Sequence, residues 1–347
     1  MSEEFEFYTV AAPLEDAEGA EVETLLALCD LDCEEGIQTF VLCRLGRRLV
    51  GCAGLQGNIV KCVATAPDLR GESLSLKLMS EVVHLALERG HTHLFLYTSP
   101  RNVSFFEGCG FYELVEVPGY VSLMENTPIG IKGYAKRLIP LRQPGEKIGC
   151  IVMNANPFTY GHQYLVKLAA EACDWLHVFV VSEDASLISY RDRFALVQAG
   201  IAGIPRLTLH HGSEYMISRA TFPDYFFKEK GVVGDCCTAI DLLLFRNYIA
   251  PALGVTHRFV GTEPFCPTTR KYNDDMKYWL QAAPSSAPSI HVIEVPRTAS
   301  SGVPISASEV RRLLGRGDFS KIGALVPPGT LGLLNDKYAT NFAALVP

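Results

Sequence analysis

The sequence predicts an α/β protein in two parts: an α+β domain first, then a domain built on a parallel sheet. Three observations predict it. Strand-like runs joined by short turns dominate residues 1–135. Strand and helix patterns alternate regularly through residues 148–347. Between them, residues 136–147 lie in a punctuated stretch with Pro140, Pro144 and Gly145 that reads as a linker. A chain of 347 residues suits two domains at ~100–200 residues each.

In the first domain, FEFYTV (5–10) alternates like a strand and residues 17–30 carry a helical pattern. Residues 36–67 give three strand-like runs, broken at Gly46 and at Gln56–Gly57–Asn58, so the strands should be antiparallel. Leu74, Leu78, Val82 and Leu85 then recur at helical spacing. HLFLYTS (93–99) reads as a strand, RNVSFFEGCG (101–110) as a short helix and FYELVEV (111–117) as a strand.

In the second domain, KIGCIVMN (147–154) is a buried strand and residues 161–173 a helix. WLHVFVVS (175–182), RLTLHHG (206–212), THRFVGTEP (256–264) and SIHVIEVPR (289–297) continue the strands. Helical patterns at 190–203, 222–250, 269–283 and 305–317 separate or follow them. Such alternation implies a parallel sheet with helices on both faces and ligands beyond the carboxyl ends of its strands.

Composition excludes several functions. Hydrophobic residues at 48% and charged residues at 20% suit a packed core. A net charge of −7 with no long basic tract argues against a nucleic-acid partner. No apolar run reaches ~18 residues, so no membrane span is expected. The acidic start, MSEEFEFYTV, has no apolar signal core, and a cytoplasmic location is expected. The 11 cysteines are scattered and odd in number, which predicts buried reduced thiols.

The chemistry concentrates where the first strand of the second domain becomes a helix, in NANPFTYGH (154–162). The stripe Leu165, Leu168, Ala169, Ala172 should face the sheet, so the helix's first turn points out of the carboxyl edge. A helix N-terminus carries free N–H groups and partial positive charge, which attract phosphate. Gly161 permits close approach, Thr159 can cap the helix, and His162 can donate a hydrogen bond to an anion. Taken singly, Thr159 or His162 reads more simply as a capped turn with an incidental histidine. A second helix start, ISASEVRRLL (305–314), holds the capping-box pattern Ser306-x-x-Glu309, with Ser308 and Arg311 placed for phosphate oxygens. Weaker polar groups close other strands and open other helices. They are Ser182, Glu183 and Asp184; Tyr190 to Arg193; Gly261, Thr262 and Glu263; and Arg270, Tyr272, Asn273 and Asp274. Carboxylates there could meet Mg²⁺ or serve as caps.

NPFTYGH resembles the (T/H)xGH signature of the nucleotidyltransferase superfamily, with threonine in place of the first histidine. ISASEVR is similar to that superfamily's ISSTxxR segment, with Ala307 and Ser308 at its second serine and threonine. The resemblance implies a Rossmann-like domain and a triphosphate held between the two helix starts. His162, Thr159 and Arg311 would be catalytic. Asn154, Asn156, Pro157, Phe158, Gly161, Gly261, Thr262, Glu263, Ser306 and Ser308 would line the ATP site. Residues 63–83 and 102–114 resemble the acetyl-CoA loop and the closing helix and strand of GNAT acyltransferases. That likeness implies a CoA-like arm near Arg70, Gly71, Ser73, Ser75 and Asn102, although serines stand where the family has small, glycine-like residues.

The pairing of these two domains resembles the citrate lyase ligase family over nearly the whole chain. It implies ATP and Mg²⁺ as cofactors, the ion held mainly through the phosphates. It further implies acetate and the acyl carrier subunit of citrate lyase, with its dephospho-CoA-derived prosthetic group, as partners. Acetate would become acetyl adenylate, then a thioester, with AMP and pyrophosphate released. Two competing readings are a nucleotidyltransferase making a dinucleotide-type cofactor and a GNAT acetyltransferase with a nucleotide-binding regulatory domain.

Overall fold

The computed structural model describes residues 4–34, 36–69, 73–182, 186–216, 230–263, 267–300 and 303–338. The chain divides into two compact units, Met1–Gly133 with Phe222–Ile240, and Tyr134–Thr221 with Asp241–Pro347.

The first unit runs β1 (Phe5–Ala11), α1 (Asp16–Ala27), β2 (Thr39–Leu45), β3 (Arg48–Gln56), β4 (Ile59–Thr65), α2 (Leu74–Glu88), β5 (Phe95–Thr98), α3 (Val103–Gly108), β6 (Tyr112–Val117) and β7 (Val121–Glu125). Gly46 and Gly57 take the left-handed φ (60° and 56°) that tight hairpins require, so β2, β3 and β4 form the expected antiparallel meander. The seven strands lie in the order β1-β2-β3-β4-β5-β7-β6. Leu74, Leu78, Val82 and Leu85 of α2 are buried as their spacing requires. Two elements differ from the sequence reading. β7 inserts between β5 and β6 in the sheet. A helix, α4 (Gly130–Leu138), occupies the start of the punctuated stretch, followed by a single 3₁₀ turn at Ile139–Leu141.

β4 and β5 run parallel and pair only through Ile59–Phe95 and Val60–Leu96. Beyond Val60 the two strands part. The gap is a cleft of about 1050 Å³ whose lining includes Lys61, Cys62, Ser75, Tyr97 and Asn102.

The second unit continues with β8 (Ile148–Met153), α5 (Tyr160–Ala172), β9 (Trp175–Val180), α6 (Tyr190–Gly200), β10 (Leu207–His211), the end of α7 (Lys230–Leu244), whose residues up to Ile240 group with the first unit, α8 (Ala250–Leu253), β11 (His257–Gly261), α9 (Pro267–Met276) and β12 (His291–Val295). Its five strands are all parallel, in the order β10-β9-β8-β11-β12. β8 alternates between two cores. Ile151 and Met153 pack with α5 and α6, while Ile148 and Cys150 pack with α8 and α9. Burial on both faces explains why β8 reads as a continuous apolar run. The face of α5 on the sheet is Val166, Ala169, Ala170 and Cys173, with Leu165 and Leu168 at its margin. It is rotated from the predicted stripe, and Ala172 is exposed.

A short ribbon, β13 (Ala299–Ser300) with β14 (Val303–Pro304), leads into α10 (Ala307–Gly315), α11 (Phe319–Ile322) and α12 (Pro328–Leu333). These last helices have their own core of Val310, Leu313, Leu314, Ile322 and Val326, closed by Ile188 and Ile305. That core holds α10 beside the loop after β8.

Candidate functional site

β8 and β11 are neighbours but pair only at His257–Gly149 and Arg258–Cys150. Their carboxyl halves diverge, at the point where strand order reverses across the sheet. Open parallel sheets bind ligands in such a crevice. The loop Asn154–Thr159 and the start of α5 lie at its edge.

Three side chains fix that loop. Arg193 is fully buried and forks into carbonyls: its Nη1 donates to Asn154 O (2.8 Å), Asn154 Oδ1 (2.7 Å) and Val181 O (2.8 Å), and its Nε to Ile188 O (3.1 Å). Asn156 Oδ1 accepts from Ile188 N–H at 3.2 Å. Arg311 Nη1 donates to Asn156 O at 2.5 Å. Between the two arginine anchors, Ala155 sits at φ +50°, a conformation that costs a residue with a Cβ about 1 kcal/mol or more. Pinning on both sides keeps it there. Phe158 is wholly buried in the α5–α6 core, and its ring stacks on His162 at 5.7 Å between centroids.

Thr159 caps α5, and the capping box here is Thr159-x-x-His162. His162 N–H donates to Thr159 Oγ1 (3.4 Å), and Thr159 N–H donates back to His162 Nδ1 (3.1 Å). A backbone N–H can only donate, so Nδ1 is the acceptor and the neutral ring carries its proton on Nε2. Burial, and then the charge of Arg297, hold His162 down at about 4. At neutral pH it is therefore an uncharged donor through Nε2. The helix end offers fewer free amides than expected. Tyr160 N–H is bound to Leu325 O at 3.0 Å and His162 N–H to its cap, which leaves Gly161 N–H as the first-turn donor these bonds do not use.

The second motif sits against the first. A Cβ added at Gly161 would stand 3.2 Å from Ile305 O, just before Ser306. Ser306 caps α10 by accepting Glu309 N–H at 3.1 Å. The box expected at Ser306 is only half made, because the Glu309 carboxylate turns to Arg312 Nε at 2.7 Å. Arg311 Nη2 reaches Ser308 Oγ at 3.1 Å while Nη1 holds Asn156. One guanidinium thus joins segments 155 residues apart.

At the end of β11, Gly261 O accepts from Asn273 Nδ2 (3.0 Å), Thr262 O from Arg297 Nε (2.7 Å) and Glu263 O from Arg270 Nε (3.0 Å). Arg297 also pairs with the Glu263 carboxylate. These carbonyls are therefore engaged within the chain, and open space remains on the side where Gly261 lacks a Cβ. Two of the other strand-end groups are engaged within the fold. Asp192 binds Lys337 and Tyr338, and Tyr272 OH donates to Asp241. Glu183 and Asp184 lie outside the described residues. Among the described residues, no cluster of three or more His, Cys, Asp or Glu side chains is placed to hold a metal ion. Arg297 was not singled out in the sequence. It follows a strand with no motif spacing, and only the fold brings its charge to His162.

In the first unit, Ser75 and Asn102 line the cleft, and Ser75 Oγ lies 3.1 Å from Thr65 Oγ1. Ser73 is the exposed residue preceding α2 and makes no side-chain cap. Arg70 and Gly71 lie outside the described residues. Among the described residues, no helix is long and apolar enough to cross a membrane.

Residues 148–334 match the family model described as citrate lyase ligase C-terminal domain, and residues 4–111 match the acetyltransferase (GNAT) family. The chain is 51% identical to the citrate (pro-3S)-lyase ligase of Escherichia coli K12 over 331 residues, 95% of this chain and 94% of that protein. It is 52% identical to the ligase of the same name from Klebsiella pneumoniae over 313 residues, 90% of this chain and 91% of the relative.

Proposed function

Given that the chain belongs to the citrate lyase ligase family, we propose that it activates acetate with ATP and acetylates the acyl carrier subunit of citrate lyase on its thiol prosthetic group. In the first step an acetate oxygen attacks the α-phosphorus of ATP. The bond to the β-phosphate breaks, giving acetyl adenylate and pyrophosphate. In the second step the prosthetic thiol attacks the acyl carbon. The bond to AMP breaks, the thiol proton is lost to water, and the carrier is left acetylated.

Two anions meet in the first step, so the site must place them in line and neutralise charge. The observation that carries this reading is the joined pair of helix starts. His162 presents Nε2–H because Thr159 occupies Nδ1, and Arg311 is fixed beside it through Asn156 O. His162 would donate to a phosphate oxygen, and Arg311 with Ser308 would lie along the β- and γ-phosphates. Thr262, Glu263 and Gly261 would face the adenosine. A divalent ion would arrive on the ATP phosphates and supply further charge neutralisation there. The acetyltransferase-fold domain, about residues 1–135, would receive the CoA-like arm in its cleft, near Ser75 and Asn102. Such chemistry needs no protein nucleophile, and Cys150 and Cys173 of the second unit are buried.

Acetate-dependent exchange of labelled pyrophosphate into ATP tests the first step. Acetylation of deacetylated citrate lyase carrier tests the second. Absence of both refutes the reading. Exchange without carrier acetylation keeps the adenylation and removes the carrier.

A further inference from the structure

Nearly all the cysteines of the described residues are buried or half-buried, as the sequence predicts, but Cys33 is exposed. It lies on the irregular segment between α1 and β2, beside a bulge in β4. There, Cys52 pairs with Ala64 and Gly54 with Lys61, so Cys62 and Val63 together oppose Ala53. Cys62 takes a left-handed φ of 49° in this bulge. Its Sγ lies 3.7 Å from Asp32 O and 3.6 Å from Glu34 Oε1, bracketing Cys33 in the chain. These contacts place Cys62 against the chain on both sides of Cys33. A buried ion pair, Lys61 Nζ to Glu34 Oε2 at 2.5 Å, ties the same two segments one residue further along. One thiol is therefore open to solvent while the other is 2% exposed.

We infer that Cys33 and Cys62 form a redox-reactive thiol pair, which a low-molecular-weight disulfide such as glutathione disulfide converts to an intramolecular disulfide in the wall of the first unit's cleft. Cys33 Sγ attacks one sulfur of glutathione disulfide. The S–S bond breaks, and one glutathione leaves as the thiol with the Cys33 proton. Cys62 Sγ then attacks Cys33 Sγ, the mixed disulfide breaks, and the second glutathione leaves with the Cys62 proton. Two protein thiols are oxidised and one disulfide is reduced to two thiols.

The charged and titratable groups facing the pair are Glu34, Lys61, Glu23 and Cys52. The neighbouring Cys62 is the main influence on Cys33 and lowers it from 9.0 to about 7, against burial and Glu23. Cys33, burial and Glu34 drive Cys62 strongly upward. At pH 7 about half of Cys33 is then thiolate, roughly 50-fold more than for a thiol at 9.0. Lower basicity reduces intrinsic nucleophilicity by about 6- to 10-fold at a Brønsted slope of ~0.4–0.5, leaving a net gain of about five- to eightfold.

The test is incubation of the full-length protein with glutathione disulfide at pH 7, followed by peptide mapping without reductant. The expected products are a Cys33–Cys62 linked peptide in the wild type, glutathione trapped on Cys33 in Cys62→Ser, and unmodified Cys62 in Cys33→Ser. Initial modification of Cys33 should be about five- to eightfold faster than that of a small thiol with pKa about 9. The wild-type map stands even where a variant fails to fold. Cys33 linked to a different cysteine, Cys62 modified without Cys33, or Cys33 reacting no faster than the reference thiol overturns the inference.

Discussion

Substituting His162 with alanine removes two things that a second substitution can separate. Nδ1 accepts the N–H of Thr159, a residue only 1% exposed, so alanine leaves a buried amide without its partner. Losing this half of a capping box costs about 0.5–2 kcal/mol. Nε2–H is the donor offered to phosphate, and losing one such donor lowers the chemical step by about 10²- to 10³-fold. His162→Gln separates these effects. Glutamine is a residue the third helical position of a capping box commonly uses, so its Oε1 can accept the Thr159 N–H while nothing replaces Nε2–H at its position. The expectation is a pair of variants alike in activity and unlike in stability. Both should lose about 10²-fold or more in acetate-dependent pyrophosphate exchange. Only His162→Ala should lower the urea midpoint by the equivalent of about 1 kcal/mol. If His162→Gln keeps more than about a third of wild-type exchange, the donor role is wrong. If both variants lose activity only in step with lost stability, the box matters and the donor does not.

Arg311→Lys cannot hold Asn156 O and Ser308 Oγ with one planar fork. Exchange should fall at least ~10-fold and KM for ATP should rise, measured by steady-state kinetics. His162, held at about 4 by burial and then Arg297, stays neutral through pH 5.5, so exchange should show no acid limb near 6.5 from this group. Arg297→Ala, removing the second cause, should move that limb upward. Stability should depend on pH with a defined sign. His162 and His177 at about 4 and His210 at about 3, all depressed chiefly by burial, have folded values below the unfolded 6.5. Their contribution is complete above pH 6.5 and declines as pH falls through 4, because the unfolded chain binds the protons first. Urea midpoints at pH 7 and pH 4.5 check it. In Gly200→Ala the new Cβ would stand 2.2 Å from the buried Phe158 ring, so it should destabilise by about 1–3 kcal/mol and lower exchange by displacing the loop before α5.

β8 was the most legible strand of the second unit, because burial on both faces leaves no polar interruption in it. β7 was not legible, although all five of its residues are buried. Ser122 and Glu125 break its apolar run. Glu125 is tolerable at 2% exposure because it accepts from Ile131 N–H at 3.0 Å and meets His93 at 2.8 Å. Glu125 thereby caps α4, a helix that runs into the stretch read as a linker. No local rule reveals a cap supplied from a neighbouring strand. The two helix starts were legible as separate signals. Their contact was not, since nothing in the spacing of NANPFTYGH and ISASEVR says that they touch.

The contact itself runs through main chain, and this bears on how the site tolerates its own strain. Arg193 and Arg311 both grip the loop after β8 mainly by carbonyl oxygens, of Asn154 on one side and Asn156 on the other. A carbonyl presents the same acceptor whatever the side chain, so this bracing depends on the arginines more than on the identity of the residues held. Between the two carbonyls Ala155 is forced to φ +50°. The cost, about 1 kcal/mol or more, is small beside charge-assisted hydrogen bonds of about 1.5–3 kcal/mol on each flank. The strain therefore persists without threatening the fold, and it turns Asn156 O toward α10. Removing either guanidinium would release the bend. It would also leave His162, whose orientation rests on Thr159 three residues further on, at the end of an unbraced loop.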